Sequence, residues 1–277
     1  MENKQHSFLT LPGAIIVAGA IIAIAIIWVK QPAAPTSAPA DNQAAQTAVN
    51  INLSPVTADD HILGNPQAAI KIVEYSDPSC PYCKAFNATM VDIMNQYGPE
   101  GTVAWVYRSF PLDKPDQNGN ILHPNAGHES EALECVALLG GNDKFWNFEK
   151  TLYSTTPSVT AETPQGLDQK LLPGMAKSVG IDEQAFNDCL SSGKTKTTVD
   201  AQSLSGTNAG VSGTPTSFLV LESAINPTAV TYIKNALVQY RVPPDLLFVS
   251  DDKKTILMSG AMPEAMVKGL LDSLLGH

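Results

Sequence analysis

Two cysteines separated by two residues lie between a short apolar segment and an amphipathic segment, and this limits the fold more than any other feature. Residues 69–75 (AIKIVEY) predict a strand, and Cys80-Pro81-Tyr82-Cys83 follows directly after it. Proline suits the first turn of a helix, and the apolar residues beyond it share one helical face: Phe86, Met90, Ile93, Met94 and Tyr97. Residues 102–108 (TVAWVYR) predict a second strand. The pattern therefore indicates a strand–helix–strand unit of a parallel sheet, with the cysteines at the strand-to-helix turn.

The remaining pattern predicts an α/β chain with helices inserted between its strands. Helical segments are predicted at 129–139, 143–153, 174–179 and 182–190. Strands are predicted at 216–221, 246–250 and 255–259, and a final helix begins at Pro263. The plan is a βαβ start, a helical insertion at about 113–207 and a ββα finish.

An additional helical segment is predicted at about 222–244, before the last strands. Asn226 and Pro227 resemble a helix cap and a first-turn proline. Val230, Ile233, Leu237 and Tyr240 then share a face. We expect this face to pack on the domain, with a partner surface as the alternative.

The amino-terminal part predicts a membrane anchor and a tether. After a short tail (1–10), residues 11–29 are almost wholly apolar and would span roughly 28 Å as a helix, close to the hydrocarbon thickness of a bilayer. A cleaved signal peptide is the alternative, but its apolar region is usually shorter. Residues 30–55 are rich in Pro, Ala and polar residues and predict a flexible linker, so the folded domain covers 56–277.

The close cysteine pair has three possible uses. A structural zinc site normally needs four ligands, and the other two cysteines, Cys135 and Cys189, form no second close pair. A purely structural clip between Cys80 and Cys83 would close too short a loop to stabilise the fold. Thiol–disulfide exchange remains, and we predict no metal site.

A helix amino terminus favours ionisation of a cysteine placed there, because its unpaired N–H groups and dipole stabilise a thiolate. We therefore expect Cys80 to be the exposed nucleophile with a lowered pKa. Cys83, one turn further along, would be the shielded resolving thiol. A disulfide between Cys135 and Cys189 would close a loop of about 55 residues and contribute roughly 4 kcal/mol, whereas the alternative is two free buried cysteines.

Several segments together resemble the DsbA-like thiol–disulfide oxidoreductases of bacterial envelopes, which belong to the thioredoxin superfamily. They are DDHILGNPQAAIKIVEYSDPSCPYCKAF, YRSFPLD, HPNAGHESEALECVALLGG and GTPTSF, with GAMPEAMVKGLLDSL near the carboxyl terminus. The resemblance implies a thioredoxin fold with a helical insertion. It also implies that Cys80 and Cys83 are the active-site dithiol.

The resemblance assigns further site residues. Pro215 matches the family's cis-proline, and Thr214 would offer main-chain hydrogen bonds to an extended substrate peptide. Pro81 and Tyr82, between the cysteines, would also contact substrate. Glu74 matches a buried acid beneath the resolving cysteine and would act as its base, with an exposed strand-edge glutamate as the alternative.

The resemblance also implies an activity and a location. The expected function is an oxidase that introduces disulfides into reduced, unfolded exported proteins, with a membrane quinone-linked protein as its reoxidant and its own disulfide in place of a cofactor. It would be a membrane-anchored monomer with its catalytic domain on the periplasmic side, consistent with a structural disulfide. Alternatives are an isomerase or reductase and a non-catalytic binding or chaperone module. The Pro-Tyr dipeptide replaces the Pro-His of strongly oxidising members and predicts milder oxidising power. A net charge of −10 argues against nucleic acid as a partner.

Overall fold

The structure is a computed structural model that describes residues 51–157 and 166–277. The predicted tail, membrane anchor and nearly all of the linker lie outside these residues. In the part of the chain that is described, no helix has both the length and the apolar character needed to cross a membrane.

A mixed six-stranded sheet organises the described residues. Its strands are β1 (His61–Gly64), β2 (Ile70–Ser76), β3 (Val103–Ser109), β4 (Thr216–Leu221), β5 (Leu247–Val249) and β6 (Thr255–Ser259). They lie in the order β1-β3-β2-β4-β6-β5. Only the β2–β3 pair is parallel. Helix α1 (Pro81–Tyr97) connects these two strands, which confirms the predicted βαβ start.

Helices fill the predicted insertion and cover the sheet. Between β3 and β4 lie α2 (Ala126–Gly140), α3 (Asn142–Thr155), α4 (Leu172–Ser178), α5 (Glu183–Ser192) and α6 (Lys196–Asn208). After β4 come α7 (Pro227–Gln239) and α8 (Glu264–Leu275). Short 3₁₀ turns, Gln169–Leu171 and Pro244–Leu246, precede α4 and β5.

Two elements lack a sequence signal, and their composition explains why. Strand β1 has four residues and pairs antiparallel with β3 at the edge of the sheet. Helix α6 is rich in Thr, Ser and Gly, and only Val199 and Gly206 in it are buried. Because neither element shows an apolar period, the hydrophobic pattern could not reveal it.

The sheet separates two apolar clusters of different size, because alternate side chains of a strand point to opposite faces. Ile70 and Ile72 of β2 belong to the larger cluster, together with α1 and residues of the insertion. Val73 and Tyr75 belong to the smaller one, which also contains Phe110. The alternation places Glu74 on the face of the larger cluster, directly below α1.

Helix α7 begins as predicted, but its buried face differs in part. The Asn226 side chain accepts a hydrogen bond from the Ala229 N–H at 2.8 Å, and Pro227 follows the cap. The fully buried residues are Ala229, Ile233 and Ala236, whereas the other three predicted positions are only partly buried. The packing surface is therefore rotated toward the alanines, which allow α7 to lie close to α8.

Candidate active site

The cysteine pair lies at the amino terminus of α1, at the end of the central strand β2. Cys80 is the N-cap residue with extended backbone angles, and Pro81 is the first helical residue. Both thiols are free, and Cys83 is completely buried. Pro81 and Tyr82 are exposed on the surface, with 68% of Tyr82 accessible.

The expectation that Cys80 is exposed is wrong, since only 3% of the residue is accessible. The loop before β4 covers it. The Sγ atom of Cys80 donates a hydrogen bond to the carbonyl oxygen of Thr214, 3.5 Å away.

The Thr214–Pro215 peptide bond is cis, as the resemblance implies. The Pro215 carbonyl accepts a hydrogen bond from the Gly260 N–H at 2.8 Å. The register of β2 and β4 pairs Tyr75 with Thr216, which brings the start of β4 beside the end of β2. The sheet thus places the cis-proline loop against the cysteine pair although 134 positions separate Cys80 from Thr214.

The two thiols have opposite pKa shifts. A hydrogen bond from the Cys83 thiol is the main cause that lowers the pKa of Cys80 to about 6, against the opposing effect of burial. The Cys83 N–H and Thr214 lower it further. The predicted direction is therefore present, with the Cys83 thiol as its largest cause and a backbone N–H of the helix terminus as a further one.

Burial is the main cause that raises the pKa of Cys83 well above its ordinary value, and the charges of Cys80 and Glu74 add to this effect. The backbone N–H of Asp77 points at the Cys83 Sγ atom from 3.4 Å. Reduction of a Cys80–Cys83 disulfide would therefore give an easily ionised thiol at Cys80 and a thiol that stays protonated at Cys83.

Glu74 is a buried acid, and the alternative of an exposed strand-edge glutamate is wrong. Only 1% of the residue is accessible, and burial raises its pKa to about 7. Its carboxylate accepts hydrogen bonds from Ser76 Oγ at 2.7 Å and from Trp105 Nε1 at 2.9 Å. The Ser76 hydroxyl also acts to lower the pKa of Cys83.

Further polar residues around the dithiol escaped the sequence analysis. Asp77 is fully buried, and its carboxylate lies 2.8 Å from Nδ1 of His123. Glu129 accepts a 2.7 Å hydrogen bond from the Ser79 hydroxyl, and burial raises its pKa to about 7. Tyr153 contacts Ser76 with its hydroxyl oxygen at 2.9 Å.

Glu149 lies below this group. Burial raises its pKa well above the ordinary value, and Asn87 donates a short hydrogen bond to it.

The structure joins Cys135 and Cys189 in a disulfide between α2 and α5. Both residues are fully buried, and their Cα atoms lie 5.9 Å apart. The alternative of two free cysteines does not describe this structure. Because these sulfurs are bonded to each other, they are unavailable as metal ligands.

Comparison with known proteins identifies the family. A sequence model described as thioredoxin matches residues 56–237. The chain is 30% identical over 95 residues to the Na(+)/H(+) antiporter NhaA 1 of Mycolicibacterium gilvum, which is 34% of this chain and 14% of that protein. It is 23% identical over 143 residues to a candidate protein-disulfide oxidoreductase of Rickettsia prowazekii, which is 51% of this chain and 47% of that protein. The chain thus spans half or less of the length of these curated relatives.

A solved structure shows the same fold. The crystal structure of Wolbachia pipientis alpha-DsbA1 superposes with a TM-score of 0.58 at 20% sequence identity, and the match covers 80% of this chain and 93% of that one. The family match includes Cys80 and Cys83 at the start of α1 and the cis-proline Pro215 before β4. The chain therefore belongs to the thioredoxin family.

Proposed function

We propose that this protein is a thiol–disulfide oxidoreductase that introduces disulfide bonds into exported proteins through Cys80 and Cys83. The observation that carries the proposal is the pKa of Cys80, about 6, at a helix start that faces a cis-proline loop. A thiolate that is stable at neutral pH stabilises the reduced form, and a stabilised reduced form makes the disulfide an oxidant.

The exchange proceeds in two balanced steps. A substrate thiolate attacks Cys80 Sγ of the oxidised enzyme, a mixed disulfide forms, and Cys83 leaves with the electron pair. A second substrate thiolate then attacks the substrate sulfur of the mixed disulfide, and Cys80 leaves as a thiolate. The substrate loses two electrons and gains one disulfide, while the enzyme becomes a dithiol.

Glu74 and Ser76 provide a proton for Cys83. The raised pKa of Cys83 means that this sulfur must be protonated once it leaves. Glu74, whose pKa is about 7, is a suitable donor, and the Ser76 hydroxyl that donates a hydrogen bond to it would relay the proton. In the reverse direction the same carboxylate accepts the proton as Cys83 attacks, so Glu74 serves as acid and base.

Substrate would bind across the loop that covers Cys80. The backbone carbonyl of Thr214 contacts the reactive sulfur, and an extended peptide could replace this contact. Pro81 and the exposed ring of Tyr82 form the other side of this surface. These residues favour a flexible, unfolded polypeptide over a small folded partner.

We place the enzyme outside the cytoplasm, held at the cell membrane by residues 11–29, as a monomer in the periplasm. The Cys135–Cys189 disulfide supports an oxidising compartment. A membrane quinone-linked protein would reoxidise the dithiol, and the Cys80–Cys83 disulfide would serve in place of a cofactor.

The decisive experiment follows the refolding of a reduced, disulfide-containing protein with the oxidised enzyme as the oxidant. We expect substrate disulfides to form in proportion to enzyme disulfide consumed, and we expect both Cys80→Ser and Cys83→Ser to abolish the reaction because neither variant can form the enzyme disulfide. Equilibration with glutathione gives the potential in the same preparation.

A potential more oxidising than that of glutathione, together with substrate oxidation, supports an oxidase. A clearly more reducing potential would identify a reductase instead. Binding of the unfolded substrate by Cys80→Ser with undiminished effect on refolding would show a chaperone-like module and contradict the proposal.

A further inference from the structure

A buried ion pair lies beside the cysteine pair and has no role in the exchange steps above. It joins Asp77, in the loop between β2 and α1, to His123, in the loop before α2. Asp77 is 0% accessible and His123 is 6% accessible, so both groups are shielded from water. Buried charges at this depth are stabilising only when paired.

The backbone of Asp77 contacts both cysteines. Its N–H points at the Cys83 sulfur from 3.4 Å, and its carbonyl accepts the Cys80 N–H at 3.0 Å. A negative charge on the side chain of this residue therefore lies close to the thiolate that forms at Cys80, and it acts to raise the pKa of Cys80.

The loop before α2 is fixed so that His123 meets this carboxylate. The Leu112 N–H donates to Asp77 Oδ2 at 2.8 Å, and the Leu112 carbonyl accepts the His123 N–H at 3.0 Å. The Ser79 N–H donates to the other oxygen, Oδ1, at 2.8 Å. Leu112 thus binds both the Asp77 carboxylate and the backbone N–H of His123, which keeps the His123 ring beside that carboxylate.

We propose that His123 is a positioning residue that, as an imidazolium, balances the buried charge of Asp77 and thereby keeps Cys80 ionised at neutral pH. The Pro-Tyr dipeptide between the cysteines contains no cation. The helical insertion provides a cation, because His123 lies in it, 43 residues after Cys80. This deepens the proposed exchange function, but it concerns ionisation and can be tested without any substrate.

Several charged groups surround the pair, and their signs agree with this role. Burial lowers the pKa of His123, but Asp77, and to a smaller extent Cys80 and Glu129, raise it above its ordinary value. Asp113, in the same loop as His123, lies near Asp77 and adds negative charge. One imidazolium therefore faces the buried carboxyl groups of Asp77 and Glu129, the partly buried Asp113 and the thiolate, and its loss would leave their negative charge unbalanced.

The first test needs no mutation of the site. Linkage requires that, if His123 stabilises the Cys80 thiolate, the thiolate raises the pKa of His123 by the same amount. NMR titration of the His123 ring should therefore give a higher midpoint in the dithiol protein than in the disulfide protein. Equal midpoints in the two redox states would overturn the proposal.

The second test separates charge from hydrogen bonding. His123→Gln retains a side-chain donor for Asp77 but removes the positive charge. We expect it to raise the pKa of Cys80 by about 1, because a nearby opposite charge has been lost. The thiolate absorbance against pH measures this shift, and Asp77→Asn added to His123→Gln should reverse it by removing the unbalanced carboxylate.

His61→Gln provides the matched control. His61 forms a similarly buried pair with Glu134, at 3.1 Å, but on β1 and α2 away from the dithiol. This variant should leave the Cys80 titration unchanged. An unchanged Cys80 midpoint in His123→Gln, or an equal shift in His61→Gln, would show that His123 is only structural. Failure of the double variant to reverse the shift would show the same. None of these results depends on whether the protein oxidises substrates.

Discussion

At the scale of single residues, the Cys83 thiol influences the ionisation of Cys80 through a hydrogen bond. A thiol with a raised pKa remains protonated, and a protonated thiol can donate a hydrogen bond to the Cys80 thiolate. A helix terminus provides partial charges at the same place. The two causes predict different behaviour when Cys83 is replaced.

We expect Cys83→Ala to raise the pKa of Cys80 clearly above its value of about 6, because the largest stabilising hydrogen bond is lost. Cys83→Ser keeps a hydroxyl donor at the same position and should hold the pKa closer to 6. Iodoacetamide alkylation of Cys80 against pH measures both variants. If both keep a midpoint near 6, the helix terminus alone stabilises the thiolate.

The reactive residues were predictable from sequence because each has a local signal. Cys80 and Cys83 follow a strand and precede a helix, and Pro215 lies in a short motif before a strand. Ser76 and Tyr153, by contrast, are 77 positions apart, and no spacing rule connects them. His123 is recognisable only once the fold brings it to Asp77. The sequence therefore predicted the cysteines, the cis-proline and Glu74, but not Ser76, Tyr153 or the Asp77–His123 pair.

At the scale of elements, helix α6 approaches the sheet more closely than a side chain would allow. A Cβ atom added to Gly206 would lie 2.7 Å from a ring carbon of Phe110 and 2.8 Å from one of Tyr75. These rings belong to the smaller apolar cluster, where both are packed edge to face at a centroid distance of 6.3 Å. Glycine permits this contact, at the cost of helix propensity.

We expect Gly206→Ala to lower the free energy of unfolding by about 1–3 kcal/mol, because overpacking against two rings outweighs the gain of about 1 kcal/mol in helix propensity. Thermal unfolding measures the change. Gly174→Ala is the matched control, since Gly174 is also helical but has no atom within 4 Å of the added Cβ. The control should be neutral or slightly stabilising, and a stabilising Gly206→Ala would contradict the close packing of α6.

The elements that the sequence predicted are those with a buried apolar period. Strand β6 was predicted at its observed limits, and α2 begins three residues before the predicted start. Helix α6 was missed because it approaches the sheet through glycine rather than through a stripe of large side chains. Patterns of large apolar residues cannot detect an element that packs through its backbone.

At the scale of the whole molecule, several acidic groups are enclosed in the fold. Burial raises the pKa of Glu74 and of Glu129 from 4.5 to about 7, and it raises that of Glu149 well above its ordinary value. The folded protein therefore binds more protons than the unfolded chain between pH 4.5 and about pH 7. The stabilisation that these carboxyl groups contribute is fully present below pH 4.5 and is lost as the pH rises through about 7.

We therefore predict that the free energy of unfolding of the disulfide form falls between pH 5 and pH 8. The disulfide form is used because Cys80 does not titrate in it; in the dithiol form its lowered pKa adds stability above pH 6 and would mask the fall. One pKa unit corresponds to about 1.4 kcal/mol, so Glu74 contributes up to roughly 3 kcal/mol across this range. Glu74→Gln should make the profile shallower by that amount and raise stability at pH 8, as urea unfolding at several pH values would show. A stability that rises from pH 5 to pH 8 would mean that these carboxyls are solvated or paired with a cation, and the proton donor proposed for Cys83 would then be absent.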